Sequence, residues 1–198
     1  MNGAIFVDSK VQSLSDFLAG GLNRHLSENL FPKLFNVDKS VQKLWLVGQR
    51  GATTYNLKID RNILTGLDFL LLVIGTNNMA NGQDADSAAE SCFNLAKFLH
   101  LDLRIKHVVI CGVIPRRGKL VVDSELSFLE KVKRFNSLIK QRTLGQPHLT
   151  FLRMEGFFLP KIEDFSKDDI HPNKPFGREL SIANYRRGIL IAANKSKM

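Results

Sequence analysis

The chain has only two cysteines, Cys92 and Cys111. Two thiols cannot build a disulfide framework or a four-cysteine zinc site. Long apolar runs are missing as well. The longest, FLLLVIG over 69–75, is far short of the roughly 20 residues that span a bilayer. The opening MNGAIFVDSK carries neither the basic segment nor the long apolar segment of a signal peptide, so the expected location is cytoplasmic. No internal repeat, low-complexity tract or linker divides the 198 residues, and one domain over 1–198 is expected. Acidic residues are the scarcer charge: 19 Asp and Glu against 28 Lys and Arg give a net charge of +9. That excess suits nucleic acid, phosphate or an anionic membrane surface, and equally a plain solvated basic surface. With 44% hydrophobic residues the chain can fill a core, which excludes a disordered protein.

What is present alternates between two kinds of segment. Short, nearly continuous apolar runs lie at 4–7, 43–47, 69–74, 107–114 and 149–152. Each is bounded by Gly, Pro, Asn or Asp, as expected of parallel strands buried on both faces. Between them, apolar residues recur at steps of three and four over 11–26, 87–101, 127–139 and 174–193. These spacings predict amphipathic helices, the last with a weak point at Gly188. Strand alternating with helix argues for an α/β fold: a three-layer α/β/α sandwich, flavodoxin-like, with about five parallel strands in the order 2-1-3-4-5.

Ligands of open parallel sheets bind beyond the carboxyl ends of the strands. The loops expected there hold Asp8-Ser9, then Gly48 to Thr53 with Arg50 and Gly51, then Gly75-Thr76-Asn77-Asn78. Pro115-Arg116-Arg117 and, further on, Asp168 to Asn173 with His171 follow. Each has an ordinary structural reading: Ser9 as a helix cap, the glycines as turn residues, the asparagines as turn or cap residues, the arginines as solvated loop. Together they carry more. Serine chemistry needs a base, an orienter for that base and donors for an oxyanion, and these loops offer all three in chain order.

In these blocks the sequence resembles the SGNH hydrolases, the GDSL-type esterase and lipase superfamily. The serine block reads Val7-Asp8-Ser9, the second block Arg50-Gly51-Ala52, the third Gly75-Thr76-Asn77-Asn78, the fifth Asp168 to His171. The stretches Ile114 to Arg117, Arg134 to Asn136 and Tyr185 to Gly188 resemble an animal branch of that superfamily, part of which is associated with retroelements. Two positions depart from the family pattern. Val7 stands where the family has glycine, which puts a β-branched side chain beside the nucleophile turn. Asn78 stands where it usually has aspartate.

The resemblance implies a serine esterase. Ser9 would attack the ester carbonyl, His171 would be the general base and acid, and Asp168 would orient the imidazole. The oxyanion would lie between the Ser9 and Gly51 backbone N–H groups and the Asn77 side-chain amide. No metal and no cofactor is implied. No lid or long apolar funnel is visible, which favours a small ester with a short acyl group such as acetyl. Arg50, Arg116, Arg117 and Lys167 at the expected rim admit an anionic substrate. Two other readings stay open: a catalytically inactive SGNH-like binding module, because of Val7, and a nucleic-acid-associated accessory domain of a retroelement. Against the latter, no basic stripe interleaved with aromatics is present.

Overall fold

The computed structural model describes residues 1–7, 41, 43–48, 52–115, 125–156 and 176–197. The helix expected over 11–26, together with Ser9, Arg50, Gly51, Arg116, Arg117, Lys167, Asp168 and His171, lies outside the described residues.

Among the described residues, five strands form one parallel sheet: β1 Asn2–Val7, β2 Lys43–Gly48, β3 Phe69–Val73, β4 His107–Cys111 and β5 Leu149–Leu152. Their order is β2-β1-β3-β4-β5, as the sequence predicts. β1 lies between β2 and β3, with Val7 in register with Gly48 on one side and Val73 on the other. The chain order reverses direction across the sheet at β1 and β3, so a crevice between their carboxyl ends is the expected ligand position. Five helices are described: α1 Arg61–Leu64, α2 Thr76–Ala80, α3 Ala85–Leu101, α4 Glu125–Thr143 and α5 Phe176–Lys195.

Strand residues alternate between the two faces, as a period of two requires. Leu70, Leu72, Val108 and Ile110 face a cluster with Ala88, Cys92 and Ala96 of α3 and Phe128, Val132 and Phe135 of α4. Phe69, Leu71, Val73, Val109 and Cys111 face Tyr185, Ile189 and Ala192 of α5. Every residue of β3 and β4 is buried, which explains why these strands read as unbroken apolar runs.

The element ends shift from the sequence reading for identifiable reasons. α3 starts at Ala85 rather than 87, because the Asp84 carboxylate accepts from Ser87 N at 2.8 Å and caps the helix earlier. β4 stops at Cys111 although the apolar run continues to Ile114. There the Asn136 side chain, not a neighbouring strand, takes both Val113 N (2.8 Å) and Val113 O (2.9 Å). Gly188 does not weaken α5. A Cβ at that position would come within 2.8 Å of Leu71 and Leu152, so the missing side chain lets the helix lie close on the sheet. Among the described residues, no helix is long and apolar enough to cross a membrane.

Candidate active site

The end of β3 leads into a tight turn. Gly75 caps α2 with φ +113°, a conformation that a side chain makes costly, and a Cβ there would sit 2.7 Å from the Phe135 ring. The turn delivers Thr76, Asn77 and Asn78 as buried polar residues at the carboxyl edge of the sheet. Buried amides need partners, and these find them in the segment that follows Gly51. Asn77 Nδ2 donates to Ala52 O at 2.9 Å. Asn78 Oδ1 accepts from Thr54 N at 3.2 Å, while its Nδ2 donates to Thr54 Oγ1 and to Gln83 Oε1, both at 2.8 Å. The amide at 78 therefore uses a donor as well as an acceptor, and an ionised aspartate would supply only acceptors. The expected second and third blocks are thus tied together by side chains of the third.

Two further loop roots are held in the same manner. Asn136 of α4 grips Val113 just after β4. Asn184 of α5 accepts from Glu155 N (2.8 Å) and donates to Glu155 O (2.9 Å) just after β5. Arg187 of α5 adds hydrogen bonds to Arg153 O and Asn184 Oδ1 and an ion pair to Glu155. Pattern reading placed Asn78 as a turn or cap residue but did not name Asn136 or Asn184 as loop anchors. The available signal for those two was a polar residue beside the apolar positions of a helix.

Between the ends of β3, β4 and β5 lies a small cavity of about 10 Å³, bordered by Thr76, Gly112, Met154 and Tyr185 among others. That is room for about one water molecule. An open groove of about 540 Å³ runs beside the Asn78 turn, bordered by Thr53, Tyr55, Asn56, Asn81 and Gln83.

Among the described residues, the thiols and imidazoles are set apart from this edge by burial or position. Cys92 and Cys111 are fully buried. Burial pushes the Cys92 thiol up to about 12 and raises Cys111 as well, so neither forms a thiolate near neutral pH. His100, His107 and His148 all stand at the amino ends of β4 and β5 or the end of α3, the edge of the sheet opposite Asn77. His107 is engaged with Thr150 Oγ1 at 2.9 Å. Among the described residues, no group of three or more His, Cys, Asp or Glu is placed to hold a metal ion. Of the expected site residues, Asn77 is the one the described residues include; Ser9, Gly51, Asp168, His171 and the rim arginines lie outside them.

No protein-family model matches the sequence, and no curated protein matches it. The fold does match solved structures. A GDSL-like lipase from Bacteroides thetaiotaomicron superposes with a TM-score of 0.62 at 16% identity, over 96% of this chain and 89% of that one. A lipase/acylhydrolase from Enterococcus faecalis gives 0.59 at 15% identity, over 96% and 95%. A carbohydrate esterase of family 3 from Talaromyces cellulolyticus gives 0.60 at 16% identity, over the full length of both chains. The architecture of this chain is therefore the fold found in GDSL-like lipases and acylhydrolases.

Proposed function

We propose that this chain is a single-domain serine esterase of the SGNH type, hydrolysing a small carboxylic ester with a short acyl group such as acetyl. Its stretches Ile114 to Arg117, Arg134 to Asn136 and Tyr185 to Gly188 resemble the animal branch of that superfamily. The observation that carries the reading is the bond from Asn77 Nδ2 to Ala52 O at the carboxyl edge of the sheet. It joins the block holding the third oxyanion donor to the block holding the second. An amide nitrogen carries two N–H groups; Ala52 takes one, and the other is assigned to the oxyanion.

In the proposed reaction Ser9 Oγ attacks the ester carbonyl while His171 takes its proton. The negative charge collects on the carbonyl oxygen, facing Ser9 N–H, Gly51 N–H and the Asn77 amide. The tetrahedral intermediate expels the alcohol, which receives the proton from His171. Water, deprotonated by the same imidazole, then attacks the acyl-serine, and His171 returns that proton to Ser9 Oγ as the acid leaves. Asp168 stays ionised throughout and holds the imidazole in the useful tautomer.

A fluorophosphonate probe tests the assignment without knowledge of the natural substrate. The expected result is a covalent adduct on the peptide holding Ser9, found by mass spectrometry and lost in His171→Ala. An unlabelled Ser9 peptide in the folded wild-type protein contradicts the proposal and favours a non-catalytic binding module.

A further inference from the structure

The opposite edge of the sheet carries a second concentration of chemistry, one that ester hydrolysis does not use. An open cavity of about 460 Å³ lies there, at the amino ends of β4 and β5 and the carboxyl ends of α3 and α5. Arg104, Lys106, Lys195, His100 and His148 border it, with exposed Leu101 at the rim. Lys106 Nζ donates to Asp68 Oδ1 at 2.7 Å, which uses one of its three N–H groups. Arg104 and Lys195 meet no carboxylate among the described residues. His100 and His148 stack with ring centroids 4.3 Å apart and form one wall.

Two helix carboxyl ends meet here, and their partial negative charge alone would attract Lys195 and His100. That accounts for neither Arg104 nor Lys106, which follow α3 in the loop to β4. Arg104 is the residue most in need of an explanation. Its φ is +54°, and no other described non-glycine residue has positive φ. Glycine or asparagine ordinarily fills such a position after a helix. The loop that presents it is firmly fixed. Gly66 N donates to Leu103 O (2.8 Å), Lys106 N to Leu67 O (3.0 Å), and the His100 Nδ1–H group to Ile105 O (2.8 Å). A costly backbone conformation pinned by hydrogen bonds, at a cationic residue that borders a cavity, is the arrangement of a binding residue.

We propose that this cavity binds a phosphoryl anion. Three cations around one opening exceed what a single carboxylate neutralises and suit a multiply charged tetrahedral group. The guanidinium fork can bind two of its oxygens while the ammonium groups take the others. The ligand chemistry has two sources, a free phosphate such as pyrophosphate and the phosphodiester backbone of a single-stranded nucleic acid.

The test is titration calorimetry of the full chain with pyrophosphate and, separately, with a twelve-nucleotide single-stranded RNA, at 0.05 M and 0.2 M salt. The variants are Arg104→Gly and Lys195→Gln. Glycine accepts the backbone at 104 without strain, so Arg104→Gly should melt no earlier than wild type and still bind at least tenfold more weakly. Lys195→Gln should weaken binding in the same direction. Pyrophosphate binding without RNA binding identifies a free phosphate site. RNA binding that pyrophosphate displaces, and that weakens in both variants, identifies a phosphodiester site. The proposal is overturned if wild type binds neither anion, or if both variants bind as tightly as wild type.

Discussion

Asn77 is buried beside Ala52, and its two amide N–H groups have different tasks in the proposed site. Removing an oxyanion donor typically costs about 10²–10³ in kcat. Asn77→Ala should therefore lower kcat by that order while KM for a small ester stays near wild type. An unchanged kcat in a folded variant would remove Asn77 from the oxyanion site. His107 makes a different kind of statement. Burial, and then the nearby charges of Lys195, His148 and His100, pull its pKa down from 6.5 to about 4. The folded chain thus keeps this imidazole neutral at pH values where the unfolded chain would protonate it. Its contribution is fully present above about pH 6.5 and is lost as the pH falls toward 4. The total comes to about 3 kcal/mol. His107→Gln removes this titration, so its urea-unfolding midpoint should fall less steeply between pH 6.5 and pH 4 than that of wild type. Parallel curves for the two proteins would contradict the assignment.

Two helices grip the chain just beyond β4 and β5. Asn136 on α4 and Asn184 on α5 each bind the N–H and C=O of one loop residue. Truncating either removes two hydrogen bonds to one loop residue, at about 1 kcal/mol each. Asn184→Ala should lower the denaturation midpoint accordingly. It should also lower esterase activity, because the anchored strand end leads toward the segment with Asp168 and His171. A variant with wild-type stability would show that the clamp is dispensable. These clamps also mark where sequence reading stops. The strands were legible because β3 and β4 are buried on both faces and so read as continuous apolar runs. The α3 and α4 faces were legible from three- and four-residue spacing. The partners of Asn136 and Asn184 lie 23 and 29 residues away in the chain, so local pattern could not name them. Gly188 misled for a related reason. Its meaning depends on Leu71 and Leu152 lying beneath it, and only the assembled sheet reveals them.

At the scale of the molecule, the parallel sheet separates two edges. One holds Asn77 and the ends of the strands from which the expected catalytic loops depart. The other holds the cationic cavity around Arg104. The net charge of +9 is therefore not featureless, because a definite share of it lines one cavity. If Arg116 and Arg117 add a second share at the catalytic rim, replacing both with Gln should raise KM for an anionic ester and leave a neutral ester unaffected. That difference should shrink at 1 M salt, where charges are screened beyond about 3 Å. Equal effects on both esters would leave these arginines as solvated surface. The order of the strands that precede the candidate blocks was legible because each strand reads as a short apolar run and a parallel sheet needs helices between them. The ester itself was not, since the acyl and alcohol pockets depend on loop shape rather than on motif. In the proposed mechanism Ser9 and His171 work as one catalytic unit. Steady-state hydrolysis of p-nitrophenyl acetate by wild type, Ser9→Ala, His171→Ala and the double variant tests it most directly. Each single variant should lose several orders of magnitude in kcat, and the double variant should be little slower than either, because residues that act together are not additive. Multiplicative losses in the double variant, or wild-type turnover in Ser9→Ala, would contradict the account.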